Sequence, residues 1–333
     1  MRQYLDLVTD VLTTGQYKPN RTGVDTISAF SQHYSIDLSR GFPLLTTKDL
    51  SGYRWNSLVH EFIWYLSGDS HIKTLREETS IWDAWADDEG YLDTAYPRFW
   101  RRYPIPREME IGETWAGPGH RWTNDNSRTF DQIQYILDTL RENPNSRRLV
   151  LTAWHPANAS VSTLPPCHYT AVFNAQNGVL NLHLTQRSGD IALGIPFNIA
   201  AYSMLLQAVA QEVDMIPGTF AHTIVDAHIY CGASERGEWY EDNLYELRQR
   251  VRAAVDPPEY DWIADWIDEQ APDERDDEDL LDHVPDLLRQ VGRDPYERPT
   301  LEIADKPLDD LTAQDIELTD YDPHPGIKFG VAE

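Results

Sequence analysis

Lysine is nearly missing from this 333-residue chain: only Lys18, Lys48, Lys73, Lys306 and Lys328 appear among its 28 basic side chains, and the other 23 are arginine. Basic charge of either kind is scarce beside 55 acids, 34 Asp and 21 Glu, which leave a net charge of −27. Such a field repels nucleic acid and anionic membranes unless a local basic cluster overrides it. Cysteine is scarcer still, and Cys167 and Cys231 support neither a disulfide framework nor a Cys-rich zinc site. HExxH and CxxC spacings, a Walker A loop and GxGxxG are missing too, which argues against metal and nucleoside-triphosphate chemistry. The opening MRQYLDLVTDVL mixes acids into its apolar residues, so no secretory signal is expected there and the expected location is the cytoplasm.

What is present suffices for a large core. Hydrophobic residues make up 41% of the chain and aromatic residues 11%, which excludes a wholly disordered polymer. The length allows two domains or one large α/β fold. With no internal repeat, low-complexity tract or clear linker, one domain with insertions is expected. The Asp-rich, Lys-poor composition resembles proteins of salt-accumulating organisms, in which salt screens self-repulsion while carboxylates keep the surface hydrated. An acidic mesophilic enzyme is the plainer alternative.

Charge is also missing locally. Across residues 149–211 only Arg187 and Asp190 are charged, where the chain-wide 25% gives about 16. So neutral a block reads as interior. Gly194, Pro196, Asn198, Ser203 and Gln207 interrupt residues 191–211, favouring a loop and buried helix over a membrane span, with Ile199, Tyr202, Leu206 and Val209 at helical spacing. RRLVLTAW reads as a strand. Tyr169–Ala175, Asn177-Gly178 and Val179–Gln186 predict a hairpin with a type I′ turn. Helical periodicity also marks residues 4–12, 55–66 and 239–255. Residues 256–286, with 14 acids, one arginine and four prolines, read as a solvated insertion or flexible excursion.

Several residues are candidates for chemistry. Burying Arg187 and Asp190 is costly unless they pair or meet a ligand, and Gln186 and Ser188 sit beside them. Cys167, in TLPPCHYT, needs a neighbouring cation to become a nucleophilic thiolate; Arg187 at the far end of the hairpin is the candidate, and an inert buried thiol is the commoner case. His168 is badly placed as the base of its own neighbour, because adjacent strand residues face opposite ways. Arg21, Arg147, Arg148 and Arg187 suit a phosphate dianion, although each alone is more often a surface ion-pair former. Glu61, in HEFIWYL, is either a proton-transfer acid among apolar neighbours or a solvent-facing helix residue. Trp82 and Trp85 suit core packing or a stacking wall for a flat heterocycle. The Asn198 amide matches the N3–H and O4 edge of uracil, and His228 and Tyr230 alternate onto one strand face, within reach of a sugar hydroxyl.

Together NRTGV, GFPLLTTK, HEFIWYLSGD, IWDAWAD, NSRRLVLTAW, PPCH, QRSGDIALGIPFNIAAY, DAHIY and YDPHPGIK resemble, in order along the chain, the thymidylate synthase family. The resemblance implies a mixed α/β domain over residues 1–333 whose large sheet packs back to back in a homodimer. It implies insertions at about 104–127 and 233–280. It implies reductive methylation of dUMP to dTMP with 5,10-methylenetetrahydrofolate as co-substrate, and no metal. Cys167 would attack uracil C6, Glu61 and Tyr96 would manage protons, and Asn198 would read the base. Arg21, Arg187 and Ser188 would hold the phosphate with Arg147 and Arg148 of the partner subunit, and His228 and Tyr230 the deoxyribose. Asp190 would join the dUMP-binding residues and also bond the pterin, with Trp82, Trp85, Leu193, Val331 and Ala332 closing over the folate.

The chain departs from the family pattern in places. DLSGYRWNS follows TTK without the usual histidine. Pro97 replaces a glycine and should press Tyr96 toward extended backbone. Gly189 stands where cysteine is frequent, and Glu333 ends the chain where an apolar residue is common. A nucleotide hydroxymethylase of the same superfamily is the nearest alternative; its cytosine-specific form is disfavoured because it would carry an acid at Asn198. A non-catalytic RNA-binding protein is the alternative from another class, with the charge and the Cys167, Arg187 and Asn198 set against it.

Overall fold

A computed structural model describes residues 1–20, 22–92, 96–105, 122–124, 128–273 and 280–332. The first half contains α1 (Arg2–Thr14), β1 (Gln16–Lys18), β2 (Val24–Asp37), α2 (Tyr53–Ser67), α3 (Lys73–Arg76), α4 (Tyr96–Arg101), β3 (Tyr103–Pro104), β4 (Thr123–Asn124), β5 (Thr129–Phe130) and α5 (Gln132–Glu142). There follow β6 (Val150–Thr152), α6 (Pro156–Ala159), β7 (His168–Gln176), β8 (Val179–Asp190), α7 (Gly194–Glu212), β9 (Ile216–Ala233), α8 (Glu235–Ala253), α9 (Pro257–Gln270), α10 (Val284–Val291), β10 (Thr300–Ile303) and β11 (Ile316–Thr319).

Six strands form a mixed sheet ordered β1-β2-β9-β8-β7-β6, in which only β8 and β9 run parallel. A parallel pair needs a crossover, and α7 provides it. The expected β7–β8 hairpin forms: Asn177 and Gly178 take φ values of 52° and 79°, as a type I′ turn requires. One side chain, that of Asn177, tolerates the left-handed region because it is short and polar.

Core formation follows the apolar patterning. α1 buries Tyr4, Leu5, Leu7, Val8, Val11 and Leu12 along one stripe. Gly15 ends it where a Cβ would stand 2.5 Å from the Val11 carbonyl oxygen and 2.9 Å from Ile27. α7 is apolar on all sides, as the core helix of the molecule must be, and includes the buried Ile199, Tyr202, Leu206 and Val209. No helix among the described residues is long and apolar enough to cross a membrane.

Three sequence expectations change. The neutral block is not all interior: Asn174, Asn181 and His183 point outward from the β7–β8 hairpin, and Val161 is exposed in the loop before it. Tyr96 is not extended but opens α4, because Pro97 falls in the first helical turn, where no backbone N–H is needed. The acidic stretch from 256 is not simply a flexible excursion. Pro257 and Pro258 begin α9 behind an Asp256/Glu259 capping box, and Ile263, Ala264 and Ile267 are buried against the core. Its acids face outward, where Asp265 and Asp268 take Arg289 of α10 at 3.0 and 2.7 Å.

That excursion leaves and re-enters the fold at one place. Cys231 bridges to Asp282, and the His283 N–H donates to the Tyr230 carbonyl at 3.0 Å. The buried Asp282 carboxylate receives Arg236 and Tyr240, each at 2.7 Å. The other proposed insertion, near 104–127, falls mostly outside the described residues.

Candidate functional site

The β7–β8 hairpin brings Cys167 and Arg187 side by side. The Arg187 N–H donates to the Cys167 carbonyl at 2.9 Å. Its guanidinium is pinned by two proline carbonyls, Nε to Pro166 at 3.0 Å and Nη2 to Pro165 at 2.7 Å. Nη2 also donates to the Cys167 sulfur at 3.4 Å. Cys167 is free of any disulfide and half-buried, with the Arg187 cation beside its sulfur. Among the described residues Arg187 Nη1 has no hydrogen-bond partner, which leaves one edge of the fork for an anion.

Next to the sulfur stands a polar aromatic stack. The Cys167 N–H donates to the Tyr96 hydroxyl at 2.8 Å, and the Tyr96 ring lies flat on His168 with centroids 3.9 Å apart. His168 bonds Tyr202 through Nδ1 at 2.7 Å. Burial lowers its pKa to about 3, so His168 is neutral and gives the thiol no countercharge. Burial pushes the Tyr96 phenol well above its ordinary range, and the nearby Cys167 adds to that effect.

Glu61 faces this stack from α2. The Tyr65 hydroxyl, one turn on, donates to its Oε1 at 2.9 Å, and the Trp82 indole donates to the same oxygen at 2.8 Å. Burial raises the carboxyl pKa to about 7 against the opposing effect of both hydrogen bonds. Trp82 packs at 5.8 Å on Trp85 and 6.0 Å on Tyr96, and both tryptophans keep an exposed portion.

The opposite wall surrounds the start of α7. Asp190 Oδ1 accepts the N–H groups of Ala192 and Leu193 at 2.8 and 3.3 Å. Gly194 sits between the two side chains, where a Cβ would lie 3.9 Å from both Asp190 Cβ and Asn198 Oδ1, in ordinary contact. Among the described residues no group bonds the Asn198 amide, and it is half-buried, with donor and acceptor available. Lys48 is buried and donates to the Ala192 carbonyl at 2.5 Å; burial lowers its pKa to about 7, opposed by Asp190. Ser188 is half-buried on β8, level with Asp226 of β9. His228 and Tyr230 share one face of β9 with ring centroids 5.3 Å apart. The C-terminal segment reaches the same wall: Phe329 lies under Lys48 at 4.8 Å and against His283 at 5.0 Å, while Gly330 receives the His283 Nε2–H at 3.0 Å.

This arrangement can activate a thiol, bind an anion beside it and offer an amide edge to a heterocycle. The family model for thymidylate synthase matches residues 2–333. A curated thymidylate synthase from Haloferax volcanii is 66% identical over 328 residues, covering 98% of this chain and 96% of that protein. The chain belongs to the thymidylate synthase family. It is a methyltransferase whose reaction is the reductive methylation of dUMP to dTMP with 5,10-methylenetetrahydrofolate as co-substrate. Among the described residues no cluster fit for a metal ion occurs.

Within this synthase fold most of the expected site residues converge, and some do not. Cys167, Arg187, Tyr96, Glu61 and Trp82 form one connected cluster. Asp190, Leu193, Asn198, His228 and Tyr230 line the α7–β9 side. Arg147 and Arg148 are exposed before β6, and Val331 and Ala332 end the described tail with only partial cover. Arg21 and Glu333 lie outside the described residues. Sequence reasoning passed over Tyr65, Tyr202, Lys48 and His283. Tyr65 carried a signal, four residues beyond Glu61 on a helix, and Lys48 stood out as one of five lysines.

Proposed function

We propose that Cys167 is the nucleophile of this synthase, adding as a thiolate to C6 of dUMP. The pinned Arg187 guanidinium 3.4 Å from the sulfur carries the reading, because a fixed cation favours the form that attacks. Addition makes C5 the carbon nucleophile that takes the one-carbon unit. The folate supplies that unit and then the hydride. Arg187 Nη1, Ser188 and Arg21 hold the phosphate, and Asn198 bonds the N3–H and O4 edge of the base. His228 and Tyr230 hold the deoxyribose hydroxyl. Tyr96 stays a phenol at neutral pH, so it orients water for removal of the C5 proton rather than ionising itself. Glu61, with a pKa of about 7, exchanges protons with that water in both directions. Asp190 bonds the pterin, and Trp82, Trp85, Leu193 and Ala332 cover the folate.

The whole chain works as one domain, an assignment supported by a hydrophobic cluster continuous from α1 to β11. It works as a homodimer in which Arg147 and Arg148 complete the partner's phosphate site. The outer sheet face supports this: Phe30 is 83% exposed there, and Asn174, Asn181 and His183 leave the β7–β8 face neutral in a chain of charge −27. The composition and the relative from Haloferax volcanii support a cytoplasm rich in salt as its place of work.

The test is incubation with dUMP and methylenetetrahydrofolate in molar salt, with wild type beside Cys167→Ser. Dihydrofolate absorbance should grow with wild type and stay flat with the variant, while dUMP binding persists. A serine variant that turns over at the wild-type rate, or folate release without oxidation, would overturn the reading.

A further inference from the structure

The two donors on Glu61 differ in origin: Trp82 comes from the segment after α3, whereas Tyr65 comes from the carboxylate's own helix. Tyr65 is 2% exposed, and its ring packs on Tyr96 at 5.2 Å, Trp100 at 5.4 Å and His168 at 6.0 Å. A phenylalanine would fill that space equally well, so packing alone does not call for a hydroxyl. The hydroxyl meets Oε1, the oxygen that the Trp82 indole also meets. Among the described residues no donor reaches Oε2.

We propose that Tyr65 is a positioning residue for the reaction: it locks Glu61 Oε1 in a two-donor clamp, leaving Oε2 as the oxygen that serves water and substrate. The inference rests on the proton-transfer role of Glu61 and adds to it the reason the carboxyl keeps one orientation through the cycle. A buried carboxyl with a single donor rotates about its last torsion, which is broad and two-fold. Two donors from different elements, one on α2 and one after α3, define the plane.

The clamp also sets when Glu61 ionises. Donors to the charged form favour it, so each opposes the burial that raises its pKa. The other titratable group that feels the carboxylate is the Tyr202 phenol of α7, while the Tyr96 phenol of α4 and the neutral His168 of β7 pack on the Tyr65 ring. None supplies a cation to replace a lost donor.

The experiment compares wild type, Tyr65→Phe and Glu61→Gln in molar salt. Glu61→Gln identifies the limb of the kcat/KM–pH profile that belongs to Glu61, because that limb disappears. In Tyr65→Phe the same limb should move up by about half to one pH unit, kcat should fall on the order of tenfold and the KM for dUMP should hold. Carbon-13 titration of Glu61 in the free enzyme, assigned with Glu61→Gln, should show the same upward shift without any need for turnover. Superimposable profiles and titrations in Tyr65→Phe would refute the clamp while leaving Glu61 in its role. Survival of full activity and of every limb in Glu61→Gln would instead remove the role on which the clamp depends.

Discussion

Arg187 meets Cys167 across the open end of one hairpin, its Nη2 3.4 Å from the sulfur and its fork held by the carbonyls of Pro165 and Pro166. Twenty residues separate the pair in sequence, and the type I′ turn at Asn177-Gly178 closes that distance. The prolines matter because their carbonyls take the donors that would otherwise turn the guanidinium toward a carboxylate in so acidic a chain. Arg187→Lys keeps the charge but loses the planar fork. Alkylation of Cys167 by iodoacetamide at neutral pH should slow about tenfold or more in that variant, with kcat falling alongside. An unchanged alkylation rate would mean that the cation does not govern the sulfur.

Glu61 links the site to the stability of the whole protein. Its carboxyl pKa stands at about 7 in the fold against 4.5 for an unperturbed glutamate, raised by burial. The folded state therefore holds the proton more tightly, and this contribution is complete below about pH 4.5 and is lost as pH rises through about 7. Glu61→Gln removes the dependence. Its unfolding free energy relative to wild type should rise between pH 4.5 and pH 7 by on the order of 1–3 kcal/mol and then level off. Urea unfolding at fixed molar salt checks this, and a pH-independent difference between the two proteins would contradict it.

The sequence was most readable where local pattern and burial agree. Asn177-Gly178 between two alternating runs specifies its hairpin, and the uncharged block ending in α7 specifies the central helix. The eighteen-residue β9 was visible only through the alternation of His228 and Tyr230, and the fourteen-residue β2 was not read, since the two pair with each other from far apart in sequence and carry polar as well as apolar positions. Family motifs pointed to Cys167, Glu61 and Asn198, but the Tyr96–His168 stack and the two donors on Glu61 exist only once α2, α4 and β7 meet. The acidic stretch misled because net charge masks the three apolar residues that anchor α9.

Asn198 provides a test of base reading. Its amide can donate to O4 and accept from N3–H of uracil, whereas cytosine presents the reverse pattern. Asn198→Asp accepts at both oxygens when ionised and donates at one when protonated. The ratio of kcat/KM for dUMP to that for dCMP should fall about a hundredfold or more, consistent with the cost of leaving a buried polar group unpaired. Both nucleotides should be assayed in one buffer, and retention of the wild-type preference would eliminate the role.

Salt should act on the fold itself. A charge of −27 on 333 residues repels itself, and acids crowd the outer faces of α8 and α9. At about 2 M KCl the Debye length falls to a few ångströms and most of that repulsion is screened. The unfolding midpoint should rise by on the order of 10 °C or more between about 0.1 and 2 M KCl. A midpoint that stays flat or falls over that range would speak against adaptation to salt.

The partner arginines can be tested by mixing two inactive proteins. Cys167→Ser has no nucleophile but keeps Arg147 and Arg148, while the double variant Arg147→Glu, Arg148→Glu keeps its own Cys167 and withdraws the exposed cations before β6. If the arginines act across a two-fold interface, each mixed dimer holds one site with both parts, the sulfur from one subunit and the arginines from the other. Random exchange makes half of the dimers mixed, with one of two sites restored in each. Activity should therefore return to about a quarter of the wild-type value after subunit exchange. Arginines acting within their own chain predict no recovery, because neither subunit then holds a complete set. Size-exclusion chromatography in molar salt must show a dimer before and after mixing; a monomer with full wild-type activity would remove the two-fold arrangement altogether.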